Sequence, residues 1–367
     1  MKTSQFWYPL PAQLIAQHPA ERRGVDRMMV LHRDTGVIEH RQFCDIVEYL
    51  TERDLLVVND TKVFPARLIG KWSDSPGAVE ILMVSPMASG AEGGIAAKLD
   101  APPAEEALVW SVMVGSGRPS REGQVALFGP NGELRVRLVA RQDGGLWVAE
   151  FEAARPLMAL LDEFGRTPVP PYVHREGTAE EEREDRERYQ TVYARETGSV
   201  AAPTAGLHFT AETFAALDAK GVQRATVTLH VGPGTFRPVK TVDIEDHHMD
   251  FEVFTVPPET ADAIAACRER GGRVVCVGST TVRTLETVAA ANGGKVIPGH
   301  GASDIFIRPP YNFAVTDAIL TNFHLPQSTL LMMMSAFAGR ERMLCAYALA
   351  VRAEYRFFSY GDCMLII

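Results

Sequence analysis

The sequence predicts a mixed α/β main domain interrupted by an inserted, small antiparallel β-barrel. Three observations lead there. After residue 210, helical stretches end at glycine and lead into apolar strands, the rhythm of βα units around a parallel or mixed sheet. Between residues 66 and 152 the chain offers short apolar runs, several alternating, divided by Gly, Pro, Asn and Asp turns, as in a small barrel or sandwich. The length, 367 residues, suffices for two cores. The expected units are a discontinuous main domain, 1–66 plus 155–367, and a barrel at 67–154.

An apolar strand at 54–58 runs into the polar loop Asn59-Asp60-Thr61-Lys62. Barrel strands are expected at 79–84, 108–114, 124–128, 134–138 and 146–151. The stretch 87–106 is rich in Ala, Gly and Pro and is expected to form a mobile loop. A helix at 155–164 and the turn Thr167-Pro-Val-Pro-Pro171 close the insert. In the run 180–188, Glu182/Arg186 and Glu184/Arg188 fall at i, i+4 spacing, so a solvated helix is expected. Helix 211–220 stops at Gly221 before strand 224–229. Helix 258–270 stops at Gly271-Gly272 before strand 273–277, and helix 280–291 stops at Asn292-Gly293-Gly294. Met332, Met333 and Met334 are expected in the core.

Composition narrows the function. The formal net charge is -9, which argues against a generic nucleic-acid coat but leaves room for a local basic face. Arg22, Arg23, Lys62, Arg67, Arg118 and Arg121 are candidates for such a face, though each alone fits an ordinary surface charge. Five scattered cysteines form no Cys-x-x-Cys pair, the pattern of reduced structural thiols. The start lacks the apolar core of a signal peptide, and the longest apolar stretch, 330–338, is too short to span a bilayer. A soluble cytoplasmic protein, monomeric or weakly associating, is expected.

Three loops carry the candidate chemistry. Residues 198–210, 228–239 and 320–329 each place one histidine (His208, His230, His324) among Gly, Ala, Ser, Thr and Pro, residues that let a ligand approach the backbone. An imidazole titrates near neutrality, so all three are candidate proton carriers, with half-buried structural histidines as the alternative. Gly278-Ser-Thr-Thr-Val-Arg283 joins a strand to a helix. Ser279 or Thr280 is expected to cap that helix, its amides facing a carboxylate or phosphate, with Arg283 one turn in. Gly232-Pro-Gly234-Thr235 offers amides of the same kind but lacks the third glycine of a dinucleotide fingerprint. Asn59 and Asp60 lie at a strand's carboxyl end, where α/β sheets bind ligands, although such a pair also makes simple turns. His247 and Glu252 have spacing that a metal could use, yet no metal is expected. Tyr189 and Tyr193, four apart on a helix, suit packing better than base stacking.

Further runs extend these loops: Tyr8-Pro-Leu-Pro-Ala-Gln-Leu-Ile-Ala-Gln-His-Pro19, Leu55-Leu-Val-Val-Asn-Asp-Thr-Lys-Val-Phe-Pro-Ala-Arg-Leu68, Val169-Pro-Pro-Tyr172, Tyr189-Gln-Thr-Val-Tyr193, Val277-Gly-Ser-Thr-Thr-Val-Arg-Thr-Leu-Glu286 and Tyr355-Arg-Phe-Phe-Ser-Tyr-Gly-Asp362. With them, nearly the whole chain resembles the S-adenosylmethionine:tRNA ribosyltransferase-isomerases of queuosine biosynthesis. The family's His-x-Met-His-x-Glu appears as His247-His-Met-Asp-Phe-Glu252, so Asp250 replaces its second histidine, and a usual Pro-Gly-Tyr is Pro309-Pro-Tyr311. The resemblance implies an α/β domain interrupted by a β-barrel. It also implies transfer and isomerisation of the ribosyl part of S-adenosylmethionine onto 7-aminomethyl-7-deazaguanine at the tRNA wobble position, with adenine and methionine released. S-adenosylmethionine is then a consumed cosubstrate, with no separate cofactor. Catalytic roles are expected for His208, His230, His324 and Asp60. Substrate contacts are expected from Asn59, Arg67, Ser199, Thr204, Gly232, Gly234, Thr235, His247, Glu252, Ser279, Thr280, Arg283 and Asn322. These segments are expected to converge on one cleft between barrel and sheet. The rival readings are an RNA methyltransferase, which would yield S-adenosylhomocysteine, and a non-catalytic RNA-binding module.

Overall fold

In the computed structural model, residues 1–87, 99, 108–232, 234 and 239–367 are described. The main domain is built on a nine-stranded mixed sheet. Its centre is four parallel strands side by side: β12 (Gln223–Leu229), β3 (Leu55–Asn59), β14 (Val274–Val277) and β16 (Ala318–Asn322). Beyond β16 come β17 (Cys363–Ile366), antiparallel to it, then β1 (Arg27–Leu31) and β2 (Ile38–Gln42). Beyond β12 the sheet ends in antiparallel β13 (Glu252–Val256) and β15 (Gly299–Ser303).

Of the central strands, β3, β14 and β16 are buried along their whole length because both faces are covered. Leu55 and Val57 of β3 pack into one core with Val282 and Leu285 of the helix Gly278–Ala291 and Met332 and Met334 of the helix Thr329–Ala338. Leu56 and Val58, one residue out of phase, pack into the other with Phe214 and Leu217 of the helix Ala211–Ala219. Among the described residues, no helix is long and apolar enough to cross a membrane.

The insert is a closed six-stranded antiparallel barrel. It contains β5 (Arg67–Trp72), β6 (Ala78–Pro86), β7 (Leu108–Ser116), β8 (Val125–Phe128), β9 (Leu134–Arg141) and β10 (Leu146–Ala153). In β9, Leu134, Val136 and Leu138 point inward while Arg135 and Arg137 point out. β5 was not anticipated: Arg-Leu-Ile-Gly-Lys-Trp hides its alternation because Gly70 stands at an inward position. A Cβ there would meet the Leu127 carbonyl at 2.3 Å, so the strand needs glycine where β8 crosses it. The expected loop 87–106 lies outside the described residues apart from Met87 and Leu99.

Some local expectations change. The helix expected at 155–164 begins at Leu157, with Pro156 as its N-cap. The charged helix Ala179–Arg188 holds the Glu182–Arg186 pair, but Arg188 donates to the Ala20 carbonyl. That helix ends before Tyr189, so the two tyrosines lie in a turn, with Tyr189 fully buried against Tyr360.

Candidate active site at the carboxyl ends of the central strands

Four parallel strands end side by side, and each hands over to a candidate residue. β3 ends on Asn59 and Asp60, β12 runs into His230, β14 into Gly278-Ser279-Thr280, and β16 into Asn322-Phe323-His324. Over the β14 and β16 ends lies a pocket that opens to solvent. Thr204, Ser279, Thr280, Asn322 and His324 line it, with Tyr172, Phe358, Leu325 and Pro326 as an apolar wall.

The β14 junction departs from expectation. Neither Ser279 nor Thr280 caps the helix: it starts at Gly278 behind Val277, with no side-chain cap bond. Gly278 has φ +83, a left-handed turn that glycine makes without a Cβ penalty, and this lets the strand turn directly into the helix. Gly278, Ser279 and Thr280 of the first turn line the pocket, and no side chain caps the helix start. Thr280 Oγ1 instead accepts from Asn59 Nδ2 at 3.1 Å. Asn59 also donates to the Leu229 carbonyl and accepts from the Thr61 and Leu229 amides, so its side chain ties three strand ends together.

The three imidazoles occupy three places. His324 faces the pocket, its Nε2 2.9 Å from Thr321 Oγ1. Its backbone is clamped between Tyr347 and Tyr8 hydroxyls, and burial holds its pKa down at about 3. His230 lies in a neighbouring recess between barrel residues Val84, Ser85 and Leu146 and, on the other side, Phe251 and Val253 at the start of β13. Its Nδ1 is 2.8 Å from Thr61 Oγ1, and burial lowers its pKa to about 4. Val231 lines both cavities. His208 touches neither; it lines a small third recess and reaches the pocket only through Asn322. One cleft shared by all three is thus not what forms. β12 and β16 stand three strand positions apart, roughly 14 Å at ~4.8 Å spacing, so their following residues enter different cavities.

His208 Nδ1 is 2.8 Å from Asp26 Oδ2, and Arg356 holds the other Asp26 oxygen at 2.8 Å. Burial alone would raise the Asp26 carboxyl, but the contacts with His208 and Arg356 outweigh it and hold it below the usual carboxylate range.

The remaining candidates are placed as follows. Asp60 is buried, accepting from Thr228 at 2.6 Å and paired with Arg195 at 2.9 Å; burial raises its pKa. Ser199 Oγ accepts the Val231 amide and donates to the Ala201 carbonyl, pinning the wall between the cavities. Glu252 and Arg283 form a buried ion pair, and Glu252 also accepts the Gly232 amide at 2.9 Å. Arg283 and Glu252 line a second large recess with His247 and Gly234, away from the main pocket. Arg67 is not brought to any of these cavities: in the barrel it makes a bidentate pair with Glu80. Thr235 lies outside the described residues.

Sequence reasoning left two groups unassigned. Tyr172, Phe358 and Ser359 line the pocket, and Tyr172 hydrogen-bonds Ser359; their aromatic, turn-rich segments were the available signal. Asp26 had none, being a lone acid beside an apolar strand.

Comparison with known proteins adds the following. A family model described as "Queuosine biosynthesis protein" matches residues 3–366. A protein of Symbiobacterium thermophilum named S-adenosylmethionine:tRNA ribosyltransferase-isomerase is 48% identical over the full length of both chains. One of the same name from Acetivibrio thermocellus is 44% identical, also over the full length of both. The crystal structure of S-adenosylmethionine tRNA ribosyltransferase from Thermotoga maritima is similar, with TM-score 0.53 and 36% identity, covering 99% of this chain and 100% of that one.

Proposed function

This chain belongs to the queuosine biosynthesis protein family, and on that premise we propose that the pocket at the β14 and β16 ends holds S-adenosylmethionine during ribosyl transfer to tRNA. The chain is an S-adenosylmethionine:tRNA ribosyltransferase-isomerase. It moves the ribosyl moiety onto 7-aminomethyl-7-deazaguanine at the wobble position to give epoxyqueuosine, releasing adenine and methionine. One observation carries the pocket assignment: an uncapped helix first turn and the His324 imidazole line a cavity with an aromatic wall.

Each part answers a need of the substrate. The amides at Ser279 and Thr280 suit the methionine carboxylate, because a helix N-terminus favours an anion. Tyr172 and Phe358 offer adenine a flat apolar surface. The positive sulfur acidifies the neighbouring carbon, and the His324 imidazole on the pocket wall is assigned as the group that takes its proton. His230, across the Val231 wall, serves the RNA side, where the amine must be neutral and water excluded. We place the enzyme's action in the cytoplasm, where its tRNA substrate is made, and take the working form to be a monomer.

The deciding experiment incubates precursor tRNA with enzyme and labelled S-adenosylmethionine, then analyses small products and the anticodon nucleoside by mass. Adenine, methionine and a nucleoside heavier by the ribosyl-derived ring are expected; S-adenosylhomocysteine would refute the assignment. A second prediction concerns Gly198. A Cβ there would lie 2.7–2.9 Å from three atoms of the His230 ring. Gly198→Ala is expected to push the ring off Thr61 and lower turnover about 10- to 100-fold. Steady-state kinetics beside a thermal melt would separate this from unfolding.

A further inference from the structure

A chain of hydrogen bonds runs from Asp26, outside the pocket, to Thr204, on its wall. Asp26 Oδ2 meets His208 Nδ1 at 2.8 Å, His208 Nε2 meets Asn322 Nδ2 at 3.1 Å, and Thr204 Oγ1 donates to Asn322 Oδ1 at 3.0 Å. Asp26, His208 and Asn322 are all more than nine-tenths buried. We infer that Asp26 is a positioning residue that fixes the polarity of Thr204, so that this hydroxyl presents only a lone pair and accepts from an N–H or O–H group of the bound cosubstrate. The inference rests on the pocket reading above.

The direction follows from what each group can give. An ionised carboxylate only accepts and Asn322 Nδ2 only donates, so the ring held between them carries its proton on Nδ1 and a lone pair on Nε2. That lone pair must receive Asn322 Nδ2–H, which turns Asn322 Oδ1 towards Thr204. The threonine spends its one proton there. S-adenosylmethionine offers ribose hydroxyls, an adenine amino group and an ammonium, all donors.

Asp26→Asn should invert the chain. Arg356, a pure donor, keeps the amide oxygen, so the new NH2 faces His208 Nδ1. The imidazole proton then moves to Nε2, Asn322 flips to accept it, and Asn322 Nδ2 donates to Thr204. The threonine proton is turned into the pocket, against the cosubstrate's donor.

The test combines nitrogen-15 NMR of the imidazoles with calorimetric titration of S-adenosylmethionine. Wild type should show His208 protonated on Nδ1, and Asp26→Asn should show it on Nε2. Thr204→Val and Asp26→Asn should each raise Kd about ten-fold, Thr204→Ser should restore it, and the double variant should be no weaker than Thr204→Val alone. An independent, purely structural effect of Asp26 would multiply to about 100-fold and overturn the relay, as would a wild-type His208 protonated on Nε2. If Asp26→Asn does not fold, the wild-type tautomer and the Val/Ser contrast at position 204 decide. An unaltered Kd for Thr204→Val removes the pocket reading itself. A weakened Thr204→Val with Asp26→Asn binding like wild type removes the relay alone.

Discussion

Arg283→Met is expected to lower the unfolding free energy by about 3–5 kcal/mol, the usual cost of breaking a buried ion pair by removing one member. The Arg283 and Glu252 side chains are only 3% and 5% exposed, so solvent screens their attraction weakly. Arg283 also donates to the Ser303 carbonyl of β15, and Glu252 accepts the Gly232 amide. The pair therefore ties the helix Gly278–Ala291 to the antiparallel edge of the sheet and to the loop after β12. Urea unfolding at neutral pH measures the loss. The double variant Glu252→Gln/Arg283→Met should recover part of it, because the buried carboxylate's charge is removed together with its cation. A single-variant loss under 1 kcal/mol would show that solvent reaches the carboxylate.

The second large effect is an acid-linked loss of stability. Burial lowers His230 to about 4 and His324 to about 3, from 6.5 when unfolded. The sign follows from proton counting. Between 6.5 and those values the unfolded chain binds protons that the folded chain refuses, so stability falls as pH falls through that window and is level above it. With both groups acting, the slope approaches about 2.7 kcal/mol per pH unit between pH 6.5 and 4. Asp60 and Asp362, whose carboxyls burial raises, act in the opposite sense as the pH nears their own range. Unfolding free energies at pH 7, 6 and 5 check this, and His230→Gln should halve the slope. A flat profile over that range would mean that neither ring is excluded from water.

Much of the architecture was legible in local patterns. The strand 54–58, the helices stopped by Gly221 and Gly271, and the alternation of 134–138 all follow from side-chain period and turn chemistry, which act within a few residues. β5 escaped because its inward position is a glycine whose reason is the backbone of β8. The helix cap at Ser279 or Thr280 was misplaced for a related cause: Asn59, more than two hundred positions earlier, takes the Thr280 hydroxyl.

For the site, the chain itself determined which residue types could act and that their segments belong to one family, since both are properties of residue order. Only the folded molecule decided that His324 opens on the main pocket, His230 on the barrel–sheet recess and His208 on neither. That partition depends on strand order in the sheet and on contacts such as Asp26 with His208, made across 182 positions. No short-range periodicity encodes which distant strand ends become neighbours, so packing alone assigns each imidazole its cavity.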